Sequence, residues 1–177
     1  MPTGFKDRFY VAVFNHPSPT LHFVDLKTTA GVFRLEFSDK GLYRIRFPEA
    51  EPLPESPREV FRVFRKYLSA KLDLTGLTPF QKKVYSVLMK VPEGMTISYG
   101  ALAVRAGFPK AARAVGTAMR KNRLPLVIPC HRVVPARGGM GEYSALPGLR
   151  RAGKKWKQAL LDYERHLKGR SQVSQFL

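Results

Sequence analysis

The chain has 177 residues, of which 44% are hydrophobic and 25% charged, so it can build a core and is not disordered as a whole. Its single cysteine excludes an intramolecular disulfide framework and a cysteine-rich zinc site, and it fits a reducing interior. No apolar run approaches the roughly 20 residues that cross a bilayer. With no signal core at the N-terminus, we expect a cytoplasmic protein, with nuclear or nucleoid-associated location as the alternatives, and no membrane partner.

Charge is distributed unevenly along the chain. Residues 1–77 hold 12 basic and 9 acidic side chains, whereas residues 78–177 hold 19 basic and 4 acidic ones, within a formal net charge of +18. Solubility does not require such an asymmetry. A polyanion is the simplest partner, and we expect nucleic acid to bind the C-terminal part.

Residues 20–47 are predicted to form a small antiparallel sheet. Residues 32–37 and 42–47 alternate between apolar and polar, the four residues between them are typical of a hairpin turn, and residues 21–26 add a third strand. Residues 48–57 predict a loop. Ser56 is then expected to cap a helix that begins at Pro57. Its apolar stripe comprises Val60, Phe61, Phe64, Tyr67 and Leu68.

The sequence changes character near residue 75, which predicts one domain over residues 1–74 and a second over residues 75–177. Thr78 and Gln81 form the pattern of a capping box, and Ser98 is placed to cap a short helix over residues 99–106. Pro109 is expected to open a third helix over residues 110–121. Two short helices joined by a glycine-containing turn predict a helix-turn-helix unit, with the third helix in the recognition role.

The third helix is unusually thin. Alanine, glycine and threonine dominate residues 111–118, and Arg113 and Arg120 lie two turns apart, on one face. Small residues are equally typical of tight helix packing, although packing does not account for the paired arginines. A slim helix of this kind fits a narrow minor groove that rejects a bulky one.

The only cysteine, Cys130, follows residues 126–128, which we expect to form a short apolar strand. A lone cysteine is most often buried and inert. Here His131 is an adjacent base, Arg132 is expected to favour the thiolate, and residues 138–144 offer a glycine-rich wall. Adjacent residues of an extended chain point to opposite sides, so we expect a water to connect Cys130 with His131.

Several stretches between residues 78 and 144 resemble the motifs of the O6-alkylguanine-DNA alkyltransferases, also called methylated-DNA–protein-cysteine methyltransferases. The match is in order, without a gap, and highly specific as a set. It comprises Thr78-Pro79-Phe80-Gln81, Ile97-Ser98-Tyr99, Lys110-Ala111-Ala112-Arg113-Ala114-Val115-Gly116, Ala118-Met119-Arg120, Asn122, Pro129-Cys130-His131-Arg132-Val133, and Gly141 with Tyr143-Ser144. The resemblance implies an α+β fold. Its N-terminal domain would be a small antiparallel sheet with a helix (ribonuclease-H-like), and its C-terminal domain mainly helical and winged-helix-like.

The resemblance also implies a role for particular residues. Cys130 would accept the alkyl group, His131 would take the thiol proton through a water, and Glu164 would orient His131, with Asp162 as a weaker rival. Tyr99 would donate a proton or hydrogen bond to guanine N3, and Asn122 would stabilise the turn before the site. Arg113 would fill the gap that the flipped nucleotide leaves in the stack. The DNA-binding set is Tyr99, Lys110, Ala112, Arg113, Ala114, Thr117 and Arg120; the guanine-pocket set is Met119, Pro125, Val133, Gly141, Tyr143 and Ser144.

The implied activity is repair of double-stranded DNA by irreversible transfer of an alkyl group from O6-alkylguanine, and possibly from O4-alkylthymine, to Cys130. Each monomer would react once, without a metal or other cofactor. Two alternatives stay open: a helix-turn-helix DNA-binding protein with an inert buried cysteine, and a Cys-His hydrolase. Trp156 and the basic residues around it are expected to form a surface-packed helix.

Overall fold

The structure, a computed structural model, describes residues 9–12, 20–48, 57–143 and 150–173. It confirms the predicted α+β class, with a small antiparallel sheet and helices. The strands are β1 (Phe9–Ala12), β2 (Leu21–Thr28), β3 (Gly31–Ser38), β4 (Gly41–Arg46), β5 (Ile97–Ser98) and β6 (Val133–Val134). The helices are α1 (Pro57–Phe64), α2 (Pro79–Leu88), α3 (Tyr99–Arg105), α4 (Ala112–Arg120) and α5 (Arg150–Val173).

The N-terminal sheet has the strand order β1-β2-β3-β4, with every neighbouring pair antiparallel. Its register places Leu35 between Val24 and Ile45, and all three side chains are buried. The predicted hairpin between β3 and β4 is confirmed, and the chain closes it at Gly41 with φ +134°. A Cβ at Gly41 would lie 2.2 Å from the carbonyl oxygen of Lys71, so the turn admits only glycine. Strand β1 was not predicted.

Helix α1 packs on this sheet with Val60 and Phe64 fully buried. The predicted apolar stripe is too long, because the α-helix ends at Phe64 and continues as a single 3₁₀ turn over Arg65–Tyr67. Tyr67, at the end of that turn, still packs against the core with its ring 6.1 Å from that of Phe37, whereas Leu68, the last residue of the predicted stripe, is exposed. The predicted cap, Ser56, lies outside the described residues.

The caps of the helix-turn-helix unit form as predicted. The Thr78 hydroxyl accepts from the Gln81 backbone N–H while the Gln81 side chain accepts from that of Thr78, which is a complete capping box. The Ser98 hydroxyl accepts from the N–H of Ala101 at the start of α3. Strands β5 and β6 pair in parallel and join this unit to the cysteine segment.

The recognition helix starts later than predicted. Pro109 does not open it, because Lys110 adopts a left-handed conformation with φ +69° and α4 begins only at Ala112. A non-glycine residue at positive φ cannot continue a right-handed helix. Lys110 therefore belongs to the turn before α4.

Helix α5 lies against both halves of the chain. The Trp156 ring is 5.3 Å from that of Phe47 and 5.9 Å from that of Phe33, and Trp156 is only 4% exposed. Trp156 and its basic neighbours lie on a packed helix, as predicted; Trp156 and Lys157 are buried in it, whereas Lys154 and Lys155 are exposed. The division of the chain after residue 74 stays a prediction. Within the described ranges, no helix is long and apolar enough to cross a membrane.

Candidate active site

The cysteine is carried by a turn, and the prediction of a strand over residues 126–128 is wrong. Leu126 has φ +72°, which breaks any extended run. The Asn122 side chain closes the turn: its amide nitrogen donates to the carbonyl of Ile128 at 2.9 Å, and its oxygen accepts from the N–H of Leu124 at 2.9 Å. A sequence pattern of three apolar residues does not distinguish a buried turn from a buried strand.

Cys130 begins a 3₁₀ turn, Cys130–Arg132, so Cys130 and His131 do not lie on an extended chain. The prediction that Cys130 and His131 point to opposite sides of an extended chain is therefore wrong, and a water between them stays a prediction. Cys130 is 6% exposed and lines a pocket of about 370 Å³. The lining residues are Arg113, Gly116, Thr117, Met119, Arg120, Cys130, Glu142 and Tyr143.

Burial raises the pKa of the Cys130 thiol above its ordinary value. The Asn122 side chain, the charge of Lys157 and the backbone N–H groups of Cys130 and His131 oppose that rise. Because the pKa of Cys130 is raised overall, its side chain is a protonated thiol before the reaction. A nucleophile of this kind needs a base at the moment of reaction.

His131 is the adjacent base, and it is completely buried. Its Nε2 lies 2.8 Å from Oε1 of Glu164. Burial lowers the pKa of His131, whereas hydrogen bonds from His131 and Arg132 contribute to lowering that of Glu164 to about 2, against the effect of its own burial. An ionised carboxylate only accepts, so Nε2 carries the proton and Nδ1 carries a free lone pair. Nδ1 has no hydrogen-bond partner among the described residues.

Arg132 is committed to Glu164 and does not act on the thiol as expected. Its Nε and a terminal nitrogen bind the carboxylate at 2.8–3.2 Å, and its other terminal nitrogen donates to the carbonyl of Val91 at 2.6 Å. The backbone N–H of Gly94 also donates to Glu164, at 3.1 Å. The carboxylate is thus held on three sides, which fixes the His131 ring.

Lys157 is a site residue that the sequence analysis missed. It is fully buried in α5, and its ammonium donates to the carbonyl of Val133 at 2.7 Å. Burial lowers its pKa to about 8, against the opposing effect of Cys130. Lys157 therefore supplies the positive potential that had been assigned to Arg132. Its position in a run of lysines gave no signal that distinguished it from Lys154 and Lys155.

Tyr99 is half-buried between α4 and the glycine-rich segment. A Cβ at Gly116 would lie 3.9 Å from its ring, and one at Gly141 would lie 3.2 Å from its hydroxyl. Burial, with smaller effects from Cys130 and Glu142, raises the pKa of Tyr99. The hydroxyl is therefore protonated and able to donate near neutral pH.

The predicted pocket set is brought together only in part. Met119 and Tyr143 line the pocket beside Cys130. Pro125 and Val133 are buried and do not line this pocket, and Gly141 is half-buried beside Tyr99. Ser144 lies outside the described residues. The Tyr143 hydroxyl is buried without a hydrogen-bond partner in the described part of the chain, so it is a polar group available to a ligand.

Five of the seven residues in the predicted DNA-binding set lie on α4, whereas Tyr99 begins α3 and Lys110 precedes α4. Arg113, Ala114 and Arg120 are exposed, and Ala112 and Thr117 are half-buried. Arg113 and Arg120 also line the pocket that contains the thiol. Lys110 is exposed in the preceding turn. On the buried side, the Tyr85 hydroxyl, which was not singled out from the sequence, donates to the carbonyl of Ala118 at 2.7 Å and anchors the helix.

The chain was compared with known protein families and with individual proteins. Residues 79–166 match the family model described as 6-O-methylguanine DNA methyltransferase, DNA binding domain. The chain is 40% identical over 118 residues to the constitutive methylated-DNA–protein-cysteine methyltransferase of Bacillus subtilis, covering 67% of each chain. It is 36% identical over 133 residues to that of Shigella flexneri, covering 75% of this chain and 74% of the relative. The chain belongs to the methylated-DNA–protein-cysteine methyltransferase family.

Solved structures of this methyltransferase family have the same fold. The structure of Mycobacterium tuberculosis OGT in complex with DNA superimposes with a TM-score of 0.62 at 30% identity, and the match covers 80% of this chain and 91% of that one. The prediction of the family, made from its motifs, is confirmed.

Proposed function

We propose that the protein repairs alkylated DNA directly, by moving the alkyl group from O6 of a guanine onto Cys130. The observation that carries the proposal is the placement of the thiol. Cys130 forms the floor of a pocket whose rim is made by two exposed arginines of the recognition helix. A thiol in that position meets a base that has been turned out of a duplex, because the reacting O6 is inaccessible inside the stack.

The residues around Cys130 supply the proton transfers that the reaction needs. The bond from Sγ to the alkyl carbon forms as the bond from that carbon to O6 breaks. The thiol proton passes through a water to the free lone pair on Nδ1 of His131, which Glu164 and Arg132 hold in place. Tyr99 donates a proton to guanine N3, so guanine leaves as a neutral base, and the proton that His131 has taken up replaces, through water, the one that Tyr99 has lost. The product is a thioether, and each molecule reacts once.

Lys157 contributes the positive charge that stabilises the Cys130 thiolate as the thiol loses its proton. Its ammonium is the charged group that lowers the pKa of the buried Cys130 thiol, together with the Asn122 side chain and the backbone N–H groups of Cys130 and His131. An ammonium near a thiolate acts strongly because neither group is solvated by bulk water. The transition state, which carries more negative charge on sulfur than the resting thiol does, gains most.

DNA is expected to bind along α4 through the minor groove. The outer face of this helix carries small side chains and arginines, so its backbone can approach closely. Arg113 is exposed and lines the pocket, and we expect it to fill the space that the extruded nucleotide leaves. A relative from Mycobacterium tuberculosis has been solved in complex with DNA, which supports DNA as the partner. We expect one monomer to act on each lesion, with O4-alkylthymine as a possible second substrate.

The test is the mass of the intact protein after incubation with a duplex oligonucleotide that contains O6-methylguanine. We expect one added methyl group, located on Cys130 by peptide mapping, in an amount that saturates at one per molecule. The Cys130→Ala variant should bind the same duplex and keep its mass.

The two alternatives predict different results. An inert-cysteine DNA-binding protein would bind the duplex and stay at its original mass. A Cys-His hydrolase would release product repeatedly and carry no stable adduct. An unmodified wild-type mass under saturating substrate would therefore refute the proposed function.

A further inference from the structure

Arg123 connects the N-terminal sheet with the turn that carries the thiol. One terminal nitrogen of its guanidinium donates to two carbonyl oxygens, of Asp73 at 2.7 Å and of Thr75 at 2.8 Å. The guanidinium carbon lies 4.2 Å from the centre of the Tyr43 ring. The Arg123 backbone is bound as well, because its carbonyl accepts from the N–H of Ile45 in β4 at 2.8 Å.

These contacts combine into an anchor on one residue. Hydrogen bonds from a charged donor are stronger than neutral ones, and a guanidinium over an aromatic face is attracted by the ring. The partners come from two separate parts of the N-terminal region, strand β4 and the connection before α2. We name Arg123, Tyr43, Asp73 and Thr75 the arginine clamp.

The segment that the clamp holds is the one that presents the thiol. Arg123 lies within the turn that Asn122 closes, between Asn122 itself and Leu124. The same turn hydrogen-bonds onward, from the N–H of Ile128 to the carbonyl of Leu124 and from the N–H of Cys130 to the carbonyl of Ile128. Displacement of Arg123 would therefore be passed along a short chain of bonds to Cys130.

The turn is also strained, which makes an external anchor necessary. Leu126 has φ +72°, in the left-handed region that side chains with a Cβ rarely adopt. Such a conformation persists only where surrounding contacts determine it. Leu126 is buried, so its own packing holds one end of the turn, and the clamp holds the other end.

We propose that Arg123 is a positioning residue through which the N-terminal sheet holds the thiol-bearing turn in its reactive geometry. The proposal deepens the proposed alkyl transfer and rests on it for the rate measurements. It gives the N-terminal region a part in the chemistry without any residue of that region in the pocket. Arg123 acts through Asn122 and does not touch the substrate.

The main test uses Arg123→Lys, which keeps the positive charge but cannot reproduce the two carbonyl contacts and the ring contact together. Single-turnover rates are measured on duplex DNA with O6-methylguanine and on free O6-benzylguanine. We expect both rates to fall in parallel, by about tenfold, because a small misplacement of a reacting group is costly. A third readout is the pH profile of thiol alkylation by iodoacetamide, whose midpoint should move to higher pH as Asn122 loses its position.

Two matched controls separate positioning from general effects. Arg34→Lys alters an exposed arginine of the same sheet that makes a double contact with Asp25, and it should leave all three readouts unchanged. Tyr43→Phe keeps the aromatic face and should react like the wild type, whereas Tyr43→Leu removes the face and should lower both rates. If Arg123→Lys does not fold, this pair of Tyr43 variants decides the proposal.

Each outcome has one meaning. Parallel loss on both substrates with a shifted iodoacetamide profile supports the clamp. Loss on the duplex alone would make Arg123 a DNA contact, and unchanged rates with an unchanged profile would make it ordinary structure; either result overturns the proposal. If the wild type accepts no alkyl group, the proposed function fails, while the iodoacetamide profile of the variants still decides whether Arg123 positions the thiol.

Discussion

Glu164→Gln is the substitution whose consequences the structure defines most closely. The Glu164 carboxylate is fully buried and receives hydrogen bonds from His131, Arg132 and the backbone N–H of Gly94. Glutamine has almost the same shape but carries no charge. The change therefore leaves the Arg132 guanidinium, which is only 8% exposed, without its counter-ion.

Two routes give a similar magnitude for the loss of stability. Removing one member of a buried ion pair costs about 3–5 kcal/mol. Independently, the pKa of Glu164 falls from 4.5 to about 2 on folding, and at 1.36 kcal/mol per unit this corresponds to about 3 kcal/mol. For a chain of this length, such a loss lowers the thermal midpoint by roughly 10 °C.

The assay is thermal unfolding of the wild type and Glu164→Gln at pH values from 7 down to 3. Because the folded pKa of Glu164 lies below the unfolded one, the stabilisation is complete above about pH 4.5 and is lost as pH falls towards 2. The difference between the two proteins should therefore be largest at pH 7 and should narrow below pH 4.5. Alkyl transfer should fall too, since the His131 ring loses its orienting partner.

Asp162→Asn is the matched control on the same helix. Its carboxylate is partly exposed and bonds only with the surface residues Gln158 and Arg165 among the contacts described. It should unfold within about 1–2 °C of the wild type and react at the wild-type rate, because exposed ion pairs contribute little. If Glu164→Gln matched this control at pH 7, the account of Glu164 as a buried structural anion would be wrong.

Three further predictions follow from the pocket. Lys157→Met should raise the pKa of the Cys130 thiol and slow transfer at pH 7, measured from the pH dependence of thiol alkylation. Arg113→Ala should slow repair of duplex DNA by about tenfold and leave reaction with free O6-benzylguanine unchanged, since only the duplex has a gap to fill. Gly153→Ala should cost about 1–3 kcal/mol in thermal unfolding and move the Tyr143 wall, because the new Cβ would lie 2.4 Å from the Tyr143 carbonyl oxygen. A thiol profile of Lys157→Met like that of the wild type would contradict the first prediction, and equal losses of Arg113→Ala on both substrates would contradict the second. An unchanged melting curve of Gly153→Ala would contradict the third.

Local rules predicted those parts of the fold that local bonds decide. The capping box at Thr78, the cap at Ser98 and the hairpin that ends at Gly41 each depend on residues within four positions of one another, and each forms as expected. The same rules misplaced the start of α4, because proline at a first helical position is only a preference. They also predicted a strand over residues 126–128, where the structure has a buried turn, because a buried turn and a buried strand have equally apolar sequences.

The sequence by itself determined the family and the acceptor cysteine, because the order and spacing of its motifs and its single thiol are properties of the chain alone. Only the tertiary structure decided which charged side chains surround the turn that carries that thiol and what they bind. Lys157 reaches Val133 across 24 residues, Glu164 reaches Arg132 across 32, and Arg123 reaches Asp73 across 50. Contacts of that range depend on how α5 and the N-terminal sheet pack around the turn. A charged side chain in a basic segment gives no local sign of whether packing buries or exposes it.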